Sequence, residues 1–329
     1  MSGAAVIYEL RGKRVFVVGH AGMAGSAIVR RLERENCDII FAVRRDLDLR
    51  RSDEVGRFMA QARPDAVFVA AGKVGGIRAN STYPADFIAD NLAIALNTIR
   101  AAHECGVQKL VYLGSSCIYP RLAGQPMTPQ MLLTGPLEPT NQWYALAKIA
   151  GIKLCEAYRL QHGADFVSVM PTNLYGPGDN YHPDDSHVPA ALVRRFHEAK
   201  LNGDASVTVW GTGAPRREFL AADDLADACV FVMKCYSDLP FLNVGTGADI
   251  TIAEFARLVA AVVGYRGGIA FDPSRPDGAP RKLLDVSRIN ALGWRAATPL
   301  REGLAAMYAD FLKRYAAIRD KEKQLVERI

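Results

Sequence analysis

Residues 14–25 read RVFVVGHAGMAG, an apolar run that leads into glycines at positions 19, 22 and 25. A segment of helical length and composition, 26–35, follows at once. Glycines at this spacing permit a tight turn and a close approach of backbone to a pyrophosphate, and the next helix offers free N–H groups to the same anion. The stretch therefore predicts a dinucleotide site, with an unliganded glycine-rich turn as the alternative. The residues expected at the cofactor are Gly19, His20, Ala21, Gly22, Met23, Ala24 and Gly25.

The rest of the first half repeats this alternation of short β-rich runs with segments of helical length. Further runs lie at 38–43, 66–70, 109–113 and 166–170, and further helices are predicted at 52–63, 84–105 and 141–161. The first, third and fourth runs are almost wholly apolar, as expected of parallel strands that helices cover on both faces. We therefore predict an α/β fold with a doubly wound parallel sheet of the Rossmann type.

The amino-acid composition of the sequence changes after residue 175. Stretches rich in proline, glycine and aspartate at 176–189, 211–215 and 273–280 indicate the loops of a smaller C-terminal lobe. We predict a dinucleotide-binding domain over 1–175 and a substrate-binding lobe mainly over 176–329. A helical pattern at 223–236 and a strand-like run at 241–244 are expected to rejoin the main sheet, which assigns 220–245 to the first domain. The last segment, 301–329, is predicted to be a helix with a charged tail.

Composition argues against several classes of protein. The chain has 329 residues and a net charge of +5 from 40 basic and 35 acidic side chains that are mixed along it, so nucleic acid is not an expected partner. Six cysteines without a C-x-x-C pair or a metal-ligand spacing favour a reducing compartment and give no zinc site. No secretory signal is present, and no apolar run approaches the roughly 18 residues that span a bilayer. We expect a soluble, cytoplasmic protein.

The second run ends in Arg44-Arg45, at the position where enzymes that use NAD usually carry an acid for the ribose hydroxyls. An acid there would repel a 2′-phosphate, whereas guanidinium groups bind it through charge-assisted, bidentate hydrogen bonds. The pair therefore predicts NADP(H) rather than NAD(H). The alternative is a solvated basic surface.

Tyr144 and Lys148 stand four residues apart and share one face of the predicted helix 141–161. An ammonium beside a phenol stabilises the phenolate, which eases proton exchange with a substrate oxygen. The pattern is common on solvated helices, but here it follows a glycine-loop unit and a strand that ends in Gly114-Ser115-Ser116-Cys117. Ser115 is a candidate hydrogen-bond donor to the same oxygen. For Cys117, position alone leaves two interpretations open, an inert core filler and a functional thiol.

Six motifs, in order along nearly the whole chain, resemble those of the extended short-chain dehydrogenase/reductases. They are KVGGI at 73–77, GSSCIYP at 114–120, EPTN at 138–141, KIAGIK at 148–153, MPTNLYGP at 170–177 and PDG at 276–278. The resemblance implies NADPH-dependent 3,5-epimerisation and 4-reduction of GDP-4-keto-6-deoxy-D-mannose to GDP-L-fucose. It also implies a homodimer that pairs through the helices 84–105 and 141–161.

The positions that match the family's motifs carry implied roles. Cys117 as base and His187 as acid would exchange the protons at C3 and C5 of the sugar. Tyr144 would protonate the C4 oxygen, assisted by Lys148 and Ser115. Residues implied at the cofactor are Asp48, Leu49, Leu113, Gly114, Ser115, Ser116, Lys148, Pro171, Thr172, Asn173, Leu174 and His187. Those implied at the substrate are Arg195, Trp210, Arg217 and Asp277, although Arg195 also fits a solvated helix and Trp210 a core position.

One position departs from the family's pattern, because many bacterial members have an arginine in the glycine loop where this chain has Ala21. Arg44 and Arg45 would then supply more of the contact with a 2′-phosphate. Two related reactions compete with the main interpretation. A GDP-keto-heptose epimerase-reductase would use the same catalytic residues, whereas a sugar-nucleotide 4-epimerase with bound NAD would not need the two arginines. A non-enzymatic NADP-sensing regulator would be expected to lack part of the set Ser115, Tyr144 and Lys148.

Overall fold

A computed structural model describes residues 4–183, 185–275 and 277–326, with the backbone alone at residue 77 and at 321–326. The strands are β1 Arg14–Val18, β2 Asp38–Ile40, β3 Ala66–Val69, β4 Lys109–Leu113, β5 Asp165–Pro171, β6 Asn173–Tyr175, β7 Ser206–Trp210, β8 Arg216–Arg217, β9 Phe219–Ala221, β10 Leu242–Val244, β11 Ile250–Thr251, β12 Gly268–Asp272 and β13 Arg281–Lys282. The α-helices are α1 Met23–Leu32, α2 Ser52–Ala62, α3 Ile77–Thr82, α4 Pro84–Glu104, α5 Gln142–His162, α6 Val188–Asn202, α7 Ala222–Cys235, α8 Ile252–Val263, α9 Ser287–Ala291 and α10 Leu300–Val326. Short 3₁₀ turns lie at Ser116–Ile118 and Pro129–Met131.

The main sheet has six strands in the order β2-β1-β3-β4-β5-β10, all parallel. From β1 the chain first adds β2 on one side and then returns to add β3, β4 and β5 on the other. The direction of winding therefore reverses between β1 and β3, which in an open α/β sheet is where a crevice for a ligand forms. The predicted doubly wound α/β fold is confirmed.

The sheet is parallel because its central strands are apolar on both faces. Every residue of β3 and of β4 is buried, as are the last four residues of β1. Helices α2, α4 and α5 pack side by side, and α1 packs against α7. Such strands need helices on both sides, because an exposed face would leave rows of valine and leucine in water.

The second strand is shorter than predicted, since it ends at Ile40 rather than at residue 43. β2 lies at the edge of the sheet, and the side chains of Phe41 and Val43 beyond it are exposed. The carbonyl of Val43 accepts the N–H groups of Asp46 and Leu47, which turns the chain away from the sheet. The apolar run of residues 39–43 therefore extends three residues past Ile40, where the pairing of β2 with β1 ends.

A second hydrophobic core lies in the smaller lobe, where α6, α8 and α10 pack together with small sheets. These sheets pair β7 with β12 and set β8 between β11 and β13. β10 pairs with β5 of the main sheet, so the chain returns to that sheet after its first visit to the smaller lobe. In the described part of the chain, no helix combines the length and apolar character that crossing a bilayer requires.

Candidate active site

A cavity of about 1090 Å³ opens at the carboxyl ends of β1, β3 and β4 and reaches the smaller lobe. One wall is formed by residues 19–24 and 70–76, which follow β1 and β3. The opposite wall includes Arg217, Lys282 and Arg314 of the smaller lobe. The cavity thus occupies the crevice where the winding of the sheet reverses.

The turn after β1 has the geometry that a dinucleotide needs. Gly19 has a φ of +87°, and a Cβ on it would lie 2.7 Å from the backbone N and Cα of Ala71 on the neighbouring strand end. A Cβ on Gly25 would overlap the carbonyl oxygen of Gly19, so this glycine allows α1 to start close to the turn. α1 has no acidic residue in its first turn, which leaves its positive N-terminal end available to a diphosphate.

The two arginines after β2 differ in position. Arg44 lines the cavity, and no carboxylate in the part of the chain that the structure describes forms an ion pair with it. Arg45 does not line the cavity, and its side chain is 87% exposed beside Asp46. The nearby Arg50 already has a carboxylate partner, because its guanidinium donates to Asp48 at 2.7 Å and lowers the pKa of Asp48 to about 2. Arg44 is therefore the arginine placed to meet an anion in the cavity.

The reactive group predicted from the sequence is assembled at the end of β4. Ser115 caps the 3₁₀ turn that contains Cys117, and its Oγ accepts the N–H of Cys117 at 3.5 Å. Ser115, Cys117 and Tyr144 all line the cavity. The ammonium of Lys148 lies 5.8 Å from the ring centroid of Tyr144 and donates to the carbonyl oxygen of Leu113 at 2.8 Å. Lys148 is thus buried behind the wall that its neighbours form.

Burial dominates the electrostatics of this group. It raises the pKa of Tyr144, and a hydrogen bond with Ser115 offsets part of this rise. It lowers the pKa of Lys148 to about 8 and raises the pKa of the Cys117 thiol. The expectation that Lys148 would favour the phenolate is therefore outweighed by desolvation, which favours the neutral form of all three groups. A neutral phenol is the form that can donate a proton to a substrate oxygen.

His187 reaches the same cavity from the smaller lobe. It is the residue before α6, and its carbonyl accepts the N–H of Ala191 at 2.9 Å. The loop before it is held against the main domain by a hydrogen bond from the N–H of Gly76 to the carbonyl of Asp185. Surrounding protein atoms lower the pKa of the imidazole by desolvation, although solvent in the cavity reaches the ring. The fold thereby brings a thiol and an imidazole into one cavity.

The residues predicted at the substrate lie in two places. Arg217 lines the cavity, and its Nη2 donates to the carbonyl of Asp277 at 3.4 Å. The carboxylate of Asp277 accepts the N–H and the hydroxyl of Thr212. The guanidinium of Arg195 lies 5.4 Å from the ring centroid of Trp210, which is 54% exposed and so is not a core residue.

The structure brings most of the predicted site residues to the cavity wall. Those that line it are Gly19, His20, Ala21, Gly22, Met23, Ala24, Arg44, Asp48, Leu49, Gly114, Ser115, Ser116, Cys117, Tyr144, Pro171, Thr172, Asn173, Leu174, His187 and Arg217. Those that do not line it are Gly25, Arg45, Leu113, Lys148, Arg195, Trp210 and Asp277. Gly25 and Lys148 act from just behind the wall, through the packing and the hydrogen bond described above.

Among the wall residues that were not singled out from the sequence are the charged residues Asp179, Lys282 and Arg314. Asp179 lies in the loop-forming stretch 176–189, and Lys282 follows the PDG motif by four residues, so both were close to recognised signals. Arg314 is on α10, where nothing in the sequence distinguishes it from the other basic residues of that helix. Among the described residues, no group of three or more His, Cys, Asp or Glu side chains is placed to hold a metal ion.

Comparison with known proteins supports the family resemblance. The sequence model of the NAD dependent epimerase/dehydratase family matches residues 15–245. GDP-L-fucose synthase 1 of Arabidopsis thaliana is 55% identical over 304 residues, which cover 92% of this chain and 94% of the plant protein. The predicted family is therefore confirmed.

Two solved structures share the whole architecture. A GDP-6-OMe-4-keto-L-xylo-heptose reductase from C. jejuni matches with a TM-score of 0.87 and 33% identity, over 95% of this chain and 100% of that one. A GDP-L-fucose synthetase from Naegleria fowleri bound to NADP matches with a TM-score of 0.85 and 25% identity, over 96% of this chain and 98% of that one. Both alignments include the main sheet and the smaller lobe.

Asp179 is a titratable group whose burial in the cavity wall has a measurable consequence. Its Oδ1 accepts the N–H of Asn180 at 2.7 Å, while its Oδ2 has no hydrogen-bond partner among the described residues. Burial raises the pKa of this carboxyl to about 7. Because the folded state then binds the proton more tightly than the unfolded chain does, stability falls as pH rises from about 4 to about 7.

We expect Asp179→Asn to remove this pH-dependent cost. The variant should gain stability relative to the native chain, and the gain should be larger at pH 8.5 than at pH 5.5 by about 2 kcal/mol. Urea unfolding at both pH values measures the difference, with the exposed Asp204→Asn as the control. An equal change at the two pH values would show that the Asp179 carboxyl is already ionised in the folded state at pH 5.5.

Proposed function

This chain belongs to the NAD dependent epimerase/dehydratase family and groups with its GDP-L-fucose synthases, and from this membership we propose its reaction. The enzyme converts GDP-4-keto-6-deoxy-D-mannose to GDP-L-fucose by 3,5-epimerisation and 4-reduction, with NADPH as the reductant. One observation carries the proposal beyond the family. Cys117, Tyr144 and His187 line a single cavity that also contains the glycine loop.

The epimerisation depends on the ketone at C4 of the sugar, which makes the hydrogens at C3 and C5 acidic. Cys117 removes a proton from each carbon in turn, and His187 returns a proton to the opposite face. The two side chains reach the cavity from different lobes, Cys117 from the main sheet and His187 from the N-terminus of α6. A base and an acid on opposite sides of a bound sugar are what inversion requires.

The reduction then removes the ketone. NADPH, when bound, supplies the hydride that adds to C4. Tyr144 donates its phenolic proton to the C4 oxygen, and burial keeps that proton in place until the oxygen becomes basic. Ser115 holds the same oxygen by a hydrogen bond, while Lys148 supports the phenolate that Tyr144 becomes.

Separate parts of the chain hold the two ligands. Residues 1–175 with 220–245 would hold the dinucleotide, with the N-terminus of α1 suited to its diphosphate and Arg44 to its 2′-phosphate. Residues 176–329 mainly bind the nucleotide sugar. Arg217, in the cavity wall, is suited to pair with a diphosphate. Arg195, whose guanidinium lies beside the ring of Trp210, is suited to bind a planar base.

Other reactions fit less well. The GDP-L-fucose synthase 1 of Arabidopsis thaliana shares 55% of its aligned residues with this chain, against 33% for the heptose reductase. A 4-epimerase that keeps NAD bound has no use for Arg44 in the cavity. A non-enzymatic regulator would have no need of Tyr144, Ser115 and Cys117 converging there.

We infer that the chain acts in the cytoplasm as a homodimer. α4 and α5 pack against each other and still expose apolar side chains along their outer surface. These side chains are Leu92, Leu96, Trp143, Leu146 and Leu160. A second copy of the same two helices would cover this surface, because an isologous interface pairs a patch with itself.

The reaction itself is tested with NADPH and GDP-4-keto-6-deoxy-D-mannose in deuterated water. We expect GDP-L-fucose that carries deuterium at C3 and C5, because both protons exchange with solvent, and hydrogen from NADPH at C4. Mass spectrometry and NMR of the product locate the label. A keto-heptose analogue assayed in parallel decides between the two substrates, since faster turnover of the heptose would contradict the proposal.

Cys117→Ser should slow exchange at C3 and C5 by at least about 100-fold, because a hydroxyl is a far weaker base than a thiolate. Binding of NADPH should be unchanged. Cys235→Ser, at the end of α7, serves as the matched control and should behave like the native enzyme. Exchange retained in Cys117→Ser would remove the thiol from the mechanism.

Arg44→Asp should weaken NADPH binding by about 10- to 100-fold, the value of a charge-assisted hydrogen bond, and leave NADH binding nearly unchanged. Arg45→Asp should have a smaller effect, since this side chain lies outside the cavity. Fluorescence titration with each nucleotide measures both. Equal losses for NADH and NADPH would contradict the assignment of Arg44 to the 2′-phosphate.

Light scattering should give the native chain a mass of about twice 35.8 kDa. Leu96→Glu places a charge in the proposed interface and should shift the mass toward that of one chain. Leu201→Glu changes a more exposed leucine on α6, outside the proposed interface, and should leave the dimer intact. A native chain that is monomeric at working concentration would contradict the proposed assembly.

A further inference from the structure

We propose that Lys282 of the smaller lobe is the cation that stabilises the Cys117 thiolate while this thiolate removes protons from the sugar. The inference rests on the proposed function, in which Cys117 is the base. Lys282 would act through the charge of Cys117 and keep its own proton throughout. It is therefore a positioning residue for the proton-transfer half of the reaction.

The backbone holds Lys282 in a defined place in the wall of the cavity that Cys117 also lines. Lys282 ends β13 and pairs with Arg217 of β8, and its carbonyl accepts the N–H of Glu218 at 3.3 Å. The next residue, Leu283, exchanges hydrogen bonds with the segment that follows Cys117. Its N–H donates to Oε1 of Gln125 at 2.8 Å, and its carbonyl accepts the N–H of Met127 at 2.8 Å.

These bonds tie residues 125 and 127, which follow Cys117 in the same connecting segment, to the residue directly after Lys282. The two side chains then line the same cavity, although they come from different lobes. Lys282 is only partly exposed, and the exposure it has is to that cavity. Movement of one lobe against the other would have to break this connection before it could separate the two groups.

The ammonium of Lys282 lacks a partner of its own. Within the described residues it makes no hydrogen bond and lies within ion-pairing distance of no carboxylate, whereas Lys148 is held by Leu113 and Lys109 by Asp165. Burial lowers the pKa of Lys282 and the charge of Arg217 lowers it further, whereas the negative charges of Cys117 and, more weakly, Glu138 raise it. A cation placed this way is stabilised by an anion formed beside it.

The groups that face Cys117 show which cation matters most. Ser115 faces it from its own turn, Tyr144 and Lys148 from α5, and Lys282 from β13. Burial raises the pKa of the thiol and the Ser115 hydrogen bond lowers it, and of the two ammonium groups Lys282 has the larger lowering effect. Lys148 is already assigned to Tyr144, so Lys282 provides a separate charge for the thiolate.

The step balances as a pair of proton transfers. The Cys117 thiolate takes a proton from C3 or C5, and the electrons of the broken C–H bond form an enolate on the C4 oxygen. The imidazolium of His187 then donates its proton to the opposite face of that carbon, which restores the ketone. Cys117 returns its proton to solvent and His187 takes one up, so no other reactant is consumed.

The test follows the alkylation of Cys117 by iodoacetamide from pH 7 to pH 11, with the modified peptide quantified by mass spectrometry. Only the thiolate reacts, so the midpoint reports the ionisation of Cys117 directly. In Lys282→Met we expect a midpoint about one pH unit higher and an alkylation rate about tenfold lower at pH 7.5. Lys282→Arg should restore most of the rate, and Lys153→Met, an exposed lysine paired with Glu156, should match the native enzyme.

A second measurement separates this role from substrate binding. With GDP-4-keto-6-deoxy-D-mannose in deuterated water, Lys282→Met should lose exchange at C3 and C5 through kcat, while its affinity for NADPH stays unchanged. A raised KM with an unchanged Cys117 midpoint would overturn the inference and assign Lys282 to the substrate. If Lys282→Met does not fold, Lys282→Gln compared with Lys282→Arg reports the same difference, and equal midpoints in those two variants would also overturn it. If the Cys117 midpoint shifts in Lys282→Met but the native enzyme makes no GDP-L-fucose, the charge pairing stands and the proposed function is refuted.

Discussion

The two lobes meet beside the cavity at Glu218, whose backbone oxygen bonds to the main domain and whose buried carboxylate orders two turns of the smaller lobe. Its Oε1 accepts the N–H of Gly247 at 2.7 Å and its Oε2 the N–H of Leu284 at 3.0 Å. Its backbone oxygen accepts the hydroxyl of Thr172 at 3.2 Å and the amide of Asn173 at 2.9 Å. The carboxylate is fully buried, and without it these backbone donors would lose their partner inside the protein.

The chemistry of the site follows from the effect of the cavity on the ionisation of its side chains. Desolvation disfavours the ionised forms of Tyr144, Cys117 and His187 in the cavity without ligands. The wall also carries fixed cations, Arg44, Arg217 and Lys282 among them. Phosphates, an enolate and a thiolate are all anions. The cavity therefore favours the charges that the proposed reaction creates and not those of the resting side chains.

Much of this arrangement could be predicted from the chain alone. The glycines at 19, 22 and 25, the apolar runs and the spacing of Tyr144 and Lys148 are local patterns whose physical causes lie within a few residues. Most of the residues predicted at the site do line the cavity. Arg45 does not, because the chain turns at Val43 and directs this arginine into solvent, a result that depends on where the edge strand stops.

The sequence by itself determined the doubly wound sheet, the dinucleotide turn and the family, since apolar periodicity and glycine spacing act at short range and the motifs are strings of neighbours. Only the tertiary structure decided which distant residues share the cavity. Lys282 approaches Cys117 through the pairing of β13 with β8 and through the bonds of Leu283 to Gln125 and Met127. The carboxyl of Asp179 is shielded from water where its segment packs against α10. Such contacts join segments far apart in the chain, and their energies come from burial, which no local pattern records.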